Sequence, residues 1–339
     1  MQNSFSARFT THMLQGAREA GADVDRLLED LAIDPQKLQR ANARISYRQH
    51  ADLAVALRDT LQDEMLGLLD KPVKPNTLKM LTYSAINADT IGDAMQIWAE
   101  AAMVLDVGFN FRWQPGNENS LLIIERRADN RVKNQHAIEY LLFAAHRVFC
   151  WFADQLLPLA SVELDYKKPD YADEYRRLFV GAPISYDRER CSLAFRQSVL
   201  SLPNVRDFNA LKRFLRELPL ALYATNYVNQ DIAGQLNNWL AAHTRRNQKL
   251  PGVDEASNYL GLHPQGMRRA LAKSGNSFAA IRAQVLREAA KAALLKGEKS
   301  VEQIAYDLGF SERGAFIRAF KRWTGLTPLA WKKQLAMQP

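Results

Sequence analysis

The end of the chain repeats itself. "VDEASNYLGLHPQGMRRALAKSG" starts at Val253, and "VEQIAYDLGFSERGAFIRAFKRWTG" starts 48 residues later at Val301. Val253, Ala256, Ser257, Leu260, Gly261 and Leu262 fall opposite Val301, Ile304, Ala305, Leu308, Gly309 and Phe310. With one residue inserted in the second copy, Met267, Arg269 and Leu271 fall opposite Phe316, Arg318 and Phe320. Apolar residues at helical spacing on both sides of a glycine make each copy a helix-turn-helix.

Local chemistry fits that layout. Ser300 is placed to cap the first helix of the second copy with Gln303 completing a capping box, and Gly309 to end that helix in the left-handed conformation. Ser311 is placed to cap the next helix. Phe316 and Phe320, four apart, point inward, which leaves Arg313, Arg318, Lys321 and Arg322 for solvent or phosphate. Between the copies, "SFAAIRAQVLREAAKAALLKG" is a strong helix stopping at Gly297. Ahead of both, Ile232, Leu236, Trp239 and Leu240 form one apolar stripe. A rigid helix between two such units holds two recognition helices at a fixed separation, as successive major-groove segments require.

Charge divides the same way. From residue 240 onward there are 17 Lys and Arg against 7 Asp and Glu, although the whole chain holds 45 against 37. The entire positive excess therefore sits in the last hundred residues. A basic domain on a near-neutral one implies a polyanion partner for the first and a different task for the second.

The first two hundred residues alternate between periods. "SARFTTHMLQGAREAG", "DVDRLLEDLAI", "SYRQHADLAVALRDTLQD" and "TIGDAMQIWAEAAMVLD" read as helices. "VGFNFRW" then puts Val107, Phe109, Phe111 and Trp113 on one face, and "LLIIERR" pairs back on it across "PGNENS". A long helix around 135–157, a strand "SVELDY", a short helix "YADEYRRLF" and strands near "PISY" and "CSLAF" follow. The expected fold is an α+β N-terminal domain over 1–202, a linker over 203–228 carrying a helix and a hinge, and an all-α domain of two helix-turn-helix units over 229–339.

Several function classes lack their residues. Cys150 and Cys191 are far apart among apolar neighbours, which gives neither a disulfide framework nor a CxxC site. No signal-peptide pattern opens the chain, and the apolar run "YLLFAAHRVFCWFADQLLPLA" is interrupted by His146, Arg147 and Asp154, so it reads as a buried helix and no membrane partner is expected. The expected location is a reducing cytoplasm. The histidines, His136 and His146 included, show no metal-ligand spacing, and P-loop, GxSxG and GxGxxG motifs are absent. Asp63 with Glu64, and Asp129 near Glu125, read as surface charge. No catalytic residue, metal or cofactor is expected.

The segments "IAYDLGFSERGAFIRAFKRWTGLTP" and "LGLHPQGMRRALAKSGNSF" resemble the double helix-turn-helix of the AraC/XylS family of bacterial transcription regulators, over about a hundred residues. More weakly, "YRRLFVGAPISYDRERCSLAFRQSVLSLP" resembles the arabinose-binding-type sensor domain of one branch. The resemblance implies double-stranded promoter DNA and RNA polymerase as partners, a small-molecule effector or dimerisation at the N-terminal domain, and activation more than repression. Carried over by position, it sends Gln265, Arg268 and Arg269 of the first recognition helix, and Arg313, Gly314 and Arg318 of the second, toward base edges. Arg bridges guanine O6 and N7, and Gln pairs with adenine. Lys273, Lys321 and Arg322 lie further along, as phosphate contacts that position without specifying. His263 and Pro264 depart from the family, standing where a serine cap and a polar residue are usual. Gly266 and Gly314 weaken the first turns of both recognition helices by up to about 1 kcal/mol each relative to Ala.

For the N-terminal domain, Phe109, Phe111, Trp113, Phe143, Phe149 and Trp151 are first of all core. Phe109, Phe111, Trp113 and Trp151 are also candidates to line an effector pocket between sheet and helix, with Arg147, Arg112 or Arg126 meeting an anionic group. The expected whole is an effector-controlled DNA-binding regulator that forms a homodimer. Two alternatives stay open: a ligand-independent regulator whose N-terminal domain is a dimerisation or interaction module, and an enzyme fused to a DNA-binding domain.

Overall fold

The computed structural model describes residues 4–40, 43–224, 232–245, 250–260 and 262–336. Its internal contacts divide the chain into two compact units, Met1–Tyr227 and Val228–Pro339.

The first unit opens with β1 (Ser4–Ser6), α1 (Ala7–Glu19), α2 (Val24–Asp30), α3 (Pro35–Gln39), β2 (Arg44–Ser46) and α4 (Tyr47–Leu61), followed by α5 (Thr77–Ala85) and α6 (Ile91–Val104). Strands β3 (Phe109–Gln114) and β4 (Asn119–Arg126) form the expected hairpin, with Phe109 opposite Arg126 and Trp113 opposite Leu122. Then come α7 (His136–Ala153), β5 (Ser161–Glu163), α8 (Tyr175–Leu178), β6 (Ile184–Ser185), β7 (Cys191–Arg196), α9 (Gln197–Leu200), α10 (Phe208–Arg216) and α11 (Leu220–Ala224). The main sheet has the order β3-β4-β7-β5-β6, antiparallel except for β5 with β6. A separate two-stranded sheet pairs β1 with β2.

Helix α7 is apolar almost all round and buried over nearly its whole length, which explains its unbroken hydrophobic sequence. Its histidines are accommodated individually. His146 Nε2 bonds the Leu157 carbonyl oxygen at 2.9 Å, and His136 packs against the Phe9 ring. Among the described residues no helix is long and apolar enough to cross a membrane, and no group of His, Cys, Asp and Glu is placed to hold a metal ion. Cys150 and Cys191 are both buried free thiols.

Part of the stretch expected as linker belongs to the first core. Leu211, Phe214, Leu215 and Leu222 are buried there, and Phe214 stacks on Trp151 with centroids 4.4 Å apart. Residues 225–231 lie outside the described residues. Asp63 and Glu64 are a correction to the sequence reading: they are not surface charge. Asp63 is 3% exposed and accepts from the backbone N–H groups of Met65, Gly67 and Val73 at 2.7–2.9 Å, so it organises the turn after α4. That turn brings Gly67 against Gly16 of α1 so closely that a Cβ on either would sit 2.6 Å from the other's backbone.

The second unit is all helical: α12 (Ile232–Arg245), α13 (Val253–Tyr259), α14 (Pro264–Lys273), α15 (Phe278–Lys296), α16 (Val301–Asp307), α17 (Arg313–Thr324) and α18 (Pro328–Ala336). Trp239 of α12 stacks face to face on Tyr259 of α13 at 4.6 Å. Ile281 and Val285 of α15 are buried toward its start, while Ala290 and Leu294 join Ile304, Ala305, Phe316 and Phe320 in a second cluster.

Candidate nucleic-acid interface and ligand cavity

The repeat is physical as well as textual. In the second copy the Phe310 N–H closes the turn onto the Ala305 carbonyl at 2.9 Å, and in the first the Leu262 N–H meets the Ser257 carbonyl at the same distance. Gly309 adopts the left-handed conformation at φ +80°, while its counterpart Gly261 lies outside the described residues. Met267 and Leu271, like Phe316 and Phe320, are wholly buried. The same face of α14 and of α17 is thus spent on the core, and the remaining faces stay outside.

On those faces Gln265, Arg268, Arg269 and Lys273 of α14 are exposed, as are Arg313, Arg318, Lys321 and Arg322 of α17. Gly314 is half-buried. Among the described residues most of these cations have no ion pair within 4 Å, but Arg318 pairs with Glu312 at 3.2 Å. Linker helix α15 has 19 residues and, at 1.5 Å per residue, is about 28 Å long. That length is of the order of one duplex turn, about 34 Å.

The capping differs from expectation in two places. Ser300 Oγ accepts from the Gln303 N–H at 3.1 Å, but no capping box forms because the Gln303 amide turns to Asp307 at 2.9 Å. Helix α17 starts one residue later than Ser311, from Glu312, whose side chain does not cap it. Helix α14 starts from His263 without a side-chain cap, and Pro264 at its first position supplies the helical φ and removes one orphan donor. Gly266 has no heavy atom within 4 Å of where its Cβ would be, and Gly314 meets only the tip of Arg318 at 3.3 Å. Neither has positive φ. Nothing inside the chain requires a glycine at either place.

The aromatic candidates of the first unit are dispersed in role. Phe109 and Phe111 are core, and Phe111, Arg112 and Trp113 border an open groove beside α6. Trp151 is covered by Phe214 and by the Arg206 guanidinium, and Arg147 lies over the Phe143 ring while donating to the Arg177 carbonyl at 3.0 Å. Arg112 pairs with Glu125 and Arg126 with Asp165, which neutralises both.

A partly open cavity lies elsewhere, and none of the candidate aromatics lines it. It is bounded by Met13 of α1, Arg58 of α4, Lys79 of α5, Tyr140 of α7 and the segment from Leu218 to Tyr223, and the centre of a water molecule can move through about 40 Å³ of it. Glu64 faces it, with Oε2 accepting from the Asn76 N–H at 2.6 Å. Burial pushes the Glu64 carboxyl above its ordinary range; the Asn76 N–H, Arg58 and Lys79 pull it back only in part. His136 forms another wall, and its Nδ1 lies 3.3 Å from Glu139 Oε2 without either atom finding a hydrogen-bond partner. The other Glu139 oxygen accepts from Tyr171 at 2.9 Å and from Tyr175. The sequence reading missed this site because its residues come from six separate stretches. The cluster of Gly67, Pro72 and Pro75 around Asp63 was the one local hint of an ordered turn.

A two-fold helix-turn-helix array with cationic outer faces, attached to a separate α+β unit, defines a DNA-binding transcription regulator. Residues 21–204 match the family described as the arabinose-binding domain of AraC transcription regulators, and residues 256–334 match a helix-turn-helix domain family. The chain belongs to the AraC family of transcription regulators. It is 22% identical over 330 residues to the ornithine utilization regulator of Pseudomonas aeruginosa, across 95% of this chain and 94% of that one. The regulator VqsM of the same species is 36% identical over 77 residues, 23% of this chain and 24% of that one. The crystal structure of the Pseudomonas aeruginosa regulator CdpR aligns over 91% of this chain and 96% of that one at 16% identity, with a TM-score of 0.33, too low to carry a structural comparison.

Proposed function

We propose that the protein activates transcription by reading two successive major-groove segments, under control of a small molecule held by the first unit. Gln265, Arg268 and Arg269 read the first segment, and Arg313 and Arg318 the second, with Gly314 letting the helix approach closely. Lys273, Lys321 and Arg322 grip phosphates. The observation that carries this reading is the matched burial of Met267 and Leu271 with Phe316 and Phe320, which commits the charged faces of both helices outward. In this reading residues 1–202, with the part of 203–228 packed in their core, sense the effector, and 229–339 bind DNA and present the bound complex to RNA polymerase.

The whole-chain relative is named for ornithine utilization, which supports an effector of amino-acid size. Homodimerisation through the first unit draws support from its surface: β3 ends the main sheet, and exposed Met103, Val104 and Leu105 close the neighbouring α6. Such an edge invites pairing.

Selection of bound duplexes from a random pool by the full-length protein tests the DNA reading. The expected result is an enriched site with two half-elements about 10 base pairs apart. Salt-sensitive binding with no enriched sequence would overturn it.

A further inference from the structure

We propose that the cavity between α4, α5 and α7 is the effector site, and that it takes a compact zwitterion, an α-amino acid with an unbranched side chain. This inference rests on the effector-control reading above and names its site and chemistry.

The charges select the ligand class. Glu64 stands beside two cations, Arg58 and Lys79, on the cavity wall. A monoanion entering there meets Glu64, a monocation meets Arg58 and Lys79, and only a ligand carrying both signs finds an opposite charge for each. Glu64 is the group left short of compensation: one oxygen holds the Asn76 N–H, whereas Arg58 is already paired with Asp59 at 2.7 Å. The ligand ammonium belongs at Glu64, and its carboxylate at Lys79, which has no ion pair within 4 Å among the described residues. Half-buried charge of this kind gains from a partner.

The rest of the wall fits an aliphatic chain. Met13, Met65, Leu68, Leu78 and Leu218 surround the open volume, which suits a ligand of a few heavy atoms. A second, smaller void of about 10 Å³, room for about one water, also touches Glu64, Met65, Leu78 and Tyr140. His136, 3% exposed, is also part of the wall, with its Nδ1 3.3 Å from Glu139 Oε2.

The wall also includes the means of reporting occupancy. Leu218, Pro219 and Tyr223 close one side, and the chain passes from them through α11 toward Val228, where the DNA-binding unit begins. A ligand bridging Glu64 and Lys79 to this strap orders the last element before the second unit. The proposal therefore includes protection of the α11 amides on binding.

Thermal melting of the full-length protein with L-2-aminobutyrate, L-norvaline and L-norleucine, against hexylamine and hexanoate, is the test. At least one amino acid is expected to raise the melting temperature, with the single-charge analogues at least about tenfold weaker. Glu64→Gln, which keeps an acceptor for Asn76, is expected to lose at least about tenfold in affinity. Ala54→Trp, at the cavity wall, blocks binding independently. Hydrogen exchange at Leu220–Ala224 is expected to slow with ligand. A flat response to all three amino acids, hexylamine or hexanoate matching them, undiminished binding by Glu64→Gln, or unchanged exchange in α11 would each overturn the proposal. These readouts need no DNA: a ligand that binds as described yet leaves promoter affinity unchanged removes effector control and leaves the site standing.

Discussion

Glu312 and Arg318 are joined across the first two turns of α17, the carboxylate accepting from a guanidinium N–H at 3.2 Å. Both side chains are largely exposed, at 66% and 73%. The pair therefore contributes little to stability, and its consequence lies in where it holds the arginine.

Removing that restraint has a defined expected result. Glu312→Ala frees Arg318 and deletes a negative charge beside the proposed base-reading residues, so affinity for an enriched site is expected to rise severalfold, on the order of 1 kcal/mol. Arg318→Ala is expected to weaken it and relax preference at one or two base pairs. Titration of labelled duplex with both variants decides; an unchanged affinity for Glu312→Ala means that the pair plays no part in reading DNA.

Gly266 separates stability from binding. Open space around its Cβ position makes Gly266→Ala a stabilising change for α14, by up to about 1 kcal/mol. DNA affinity is expected to fall, because Gly266 adjoins Gln265, which in the proposed reading contacts a base. Paired melting and binding measurements check both signs, and a variant that gains stability and binds equally well shows that the glycine is not there for DNA.

Salt dependence distinguishes the two kinds of cation. Lys321→Ala is expected to weaken binding to all duplexes and to reduce the slope of log K against log salt by about 1. Arg268→Ala is expected to cost about 1–3 kcal/mol on the selected site and far less on random DNA. Identical behaviour of the two variants would remove the division between phosphate and base contacts.

Two buried histidines predict how stability depends on pH. Burial lowers His50 and His146 from 6.5 to about 3, helped by His136 for the first and Arg147 for the second. Each stays neutral in the folded protein but takes up a proton below pH 6.5 when unfolded. Stability from these groups is therefore complete above pH 6.5 and declines as pH falls from 6.5 toward 3, at roughly 1.4 kcal/mol per pH unit for each histidine. Urea unfolding at pH 7.5, 6 and 5 is expected to show that decline, and a flat profile over this range contradicts it.

The regulator half was legible because its signals are local. Glycine turns, four-residue aromatic spacing and a charge excess all lie within short windows, and the repeat provided an internal check: Met267 and Phe316 align in the sequence and are both 0% exposed. The helices α1, α2, α4, α6 and α7 and the β3-β4 hairpin were readable for the same reason. Strands β1 and β2, three residues each, are too short for alternation to reveal, and α3 and α5 went unread as well. Where two caps compete, local spacing is also not enough: Gln303 completes a capping box on paper, and Asp307 one turn on takes its amide instead.

Asp63 and Glu64 mark the limit most clearly. In the sequence they are two acids at the end of a helix, a pattern that usually means a solvated surface. In the fold, the backbone N–H groups of Met65, Gly67 and Val73 converge on Asp63, and Glu64 is carried to the wall of a cavity whose other members range from Met13 to Tyr223. Periodicity and charge reach only a few turns along a chain, and they were enough for a DNA-binding module whose chemistry is displayed on single helices. Burial depends on segments far apart in sequence, so the cavity and the carboxylate on its wall emerge only once the chain has packed.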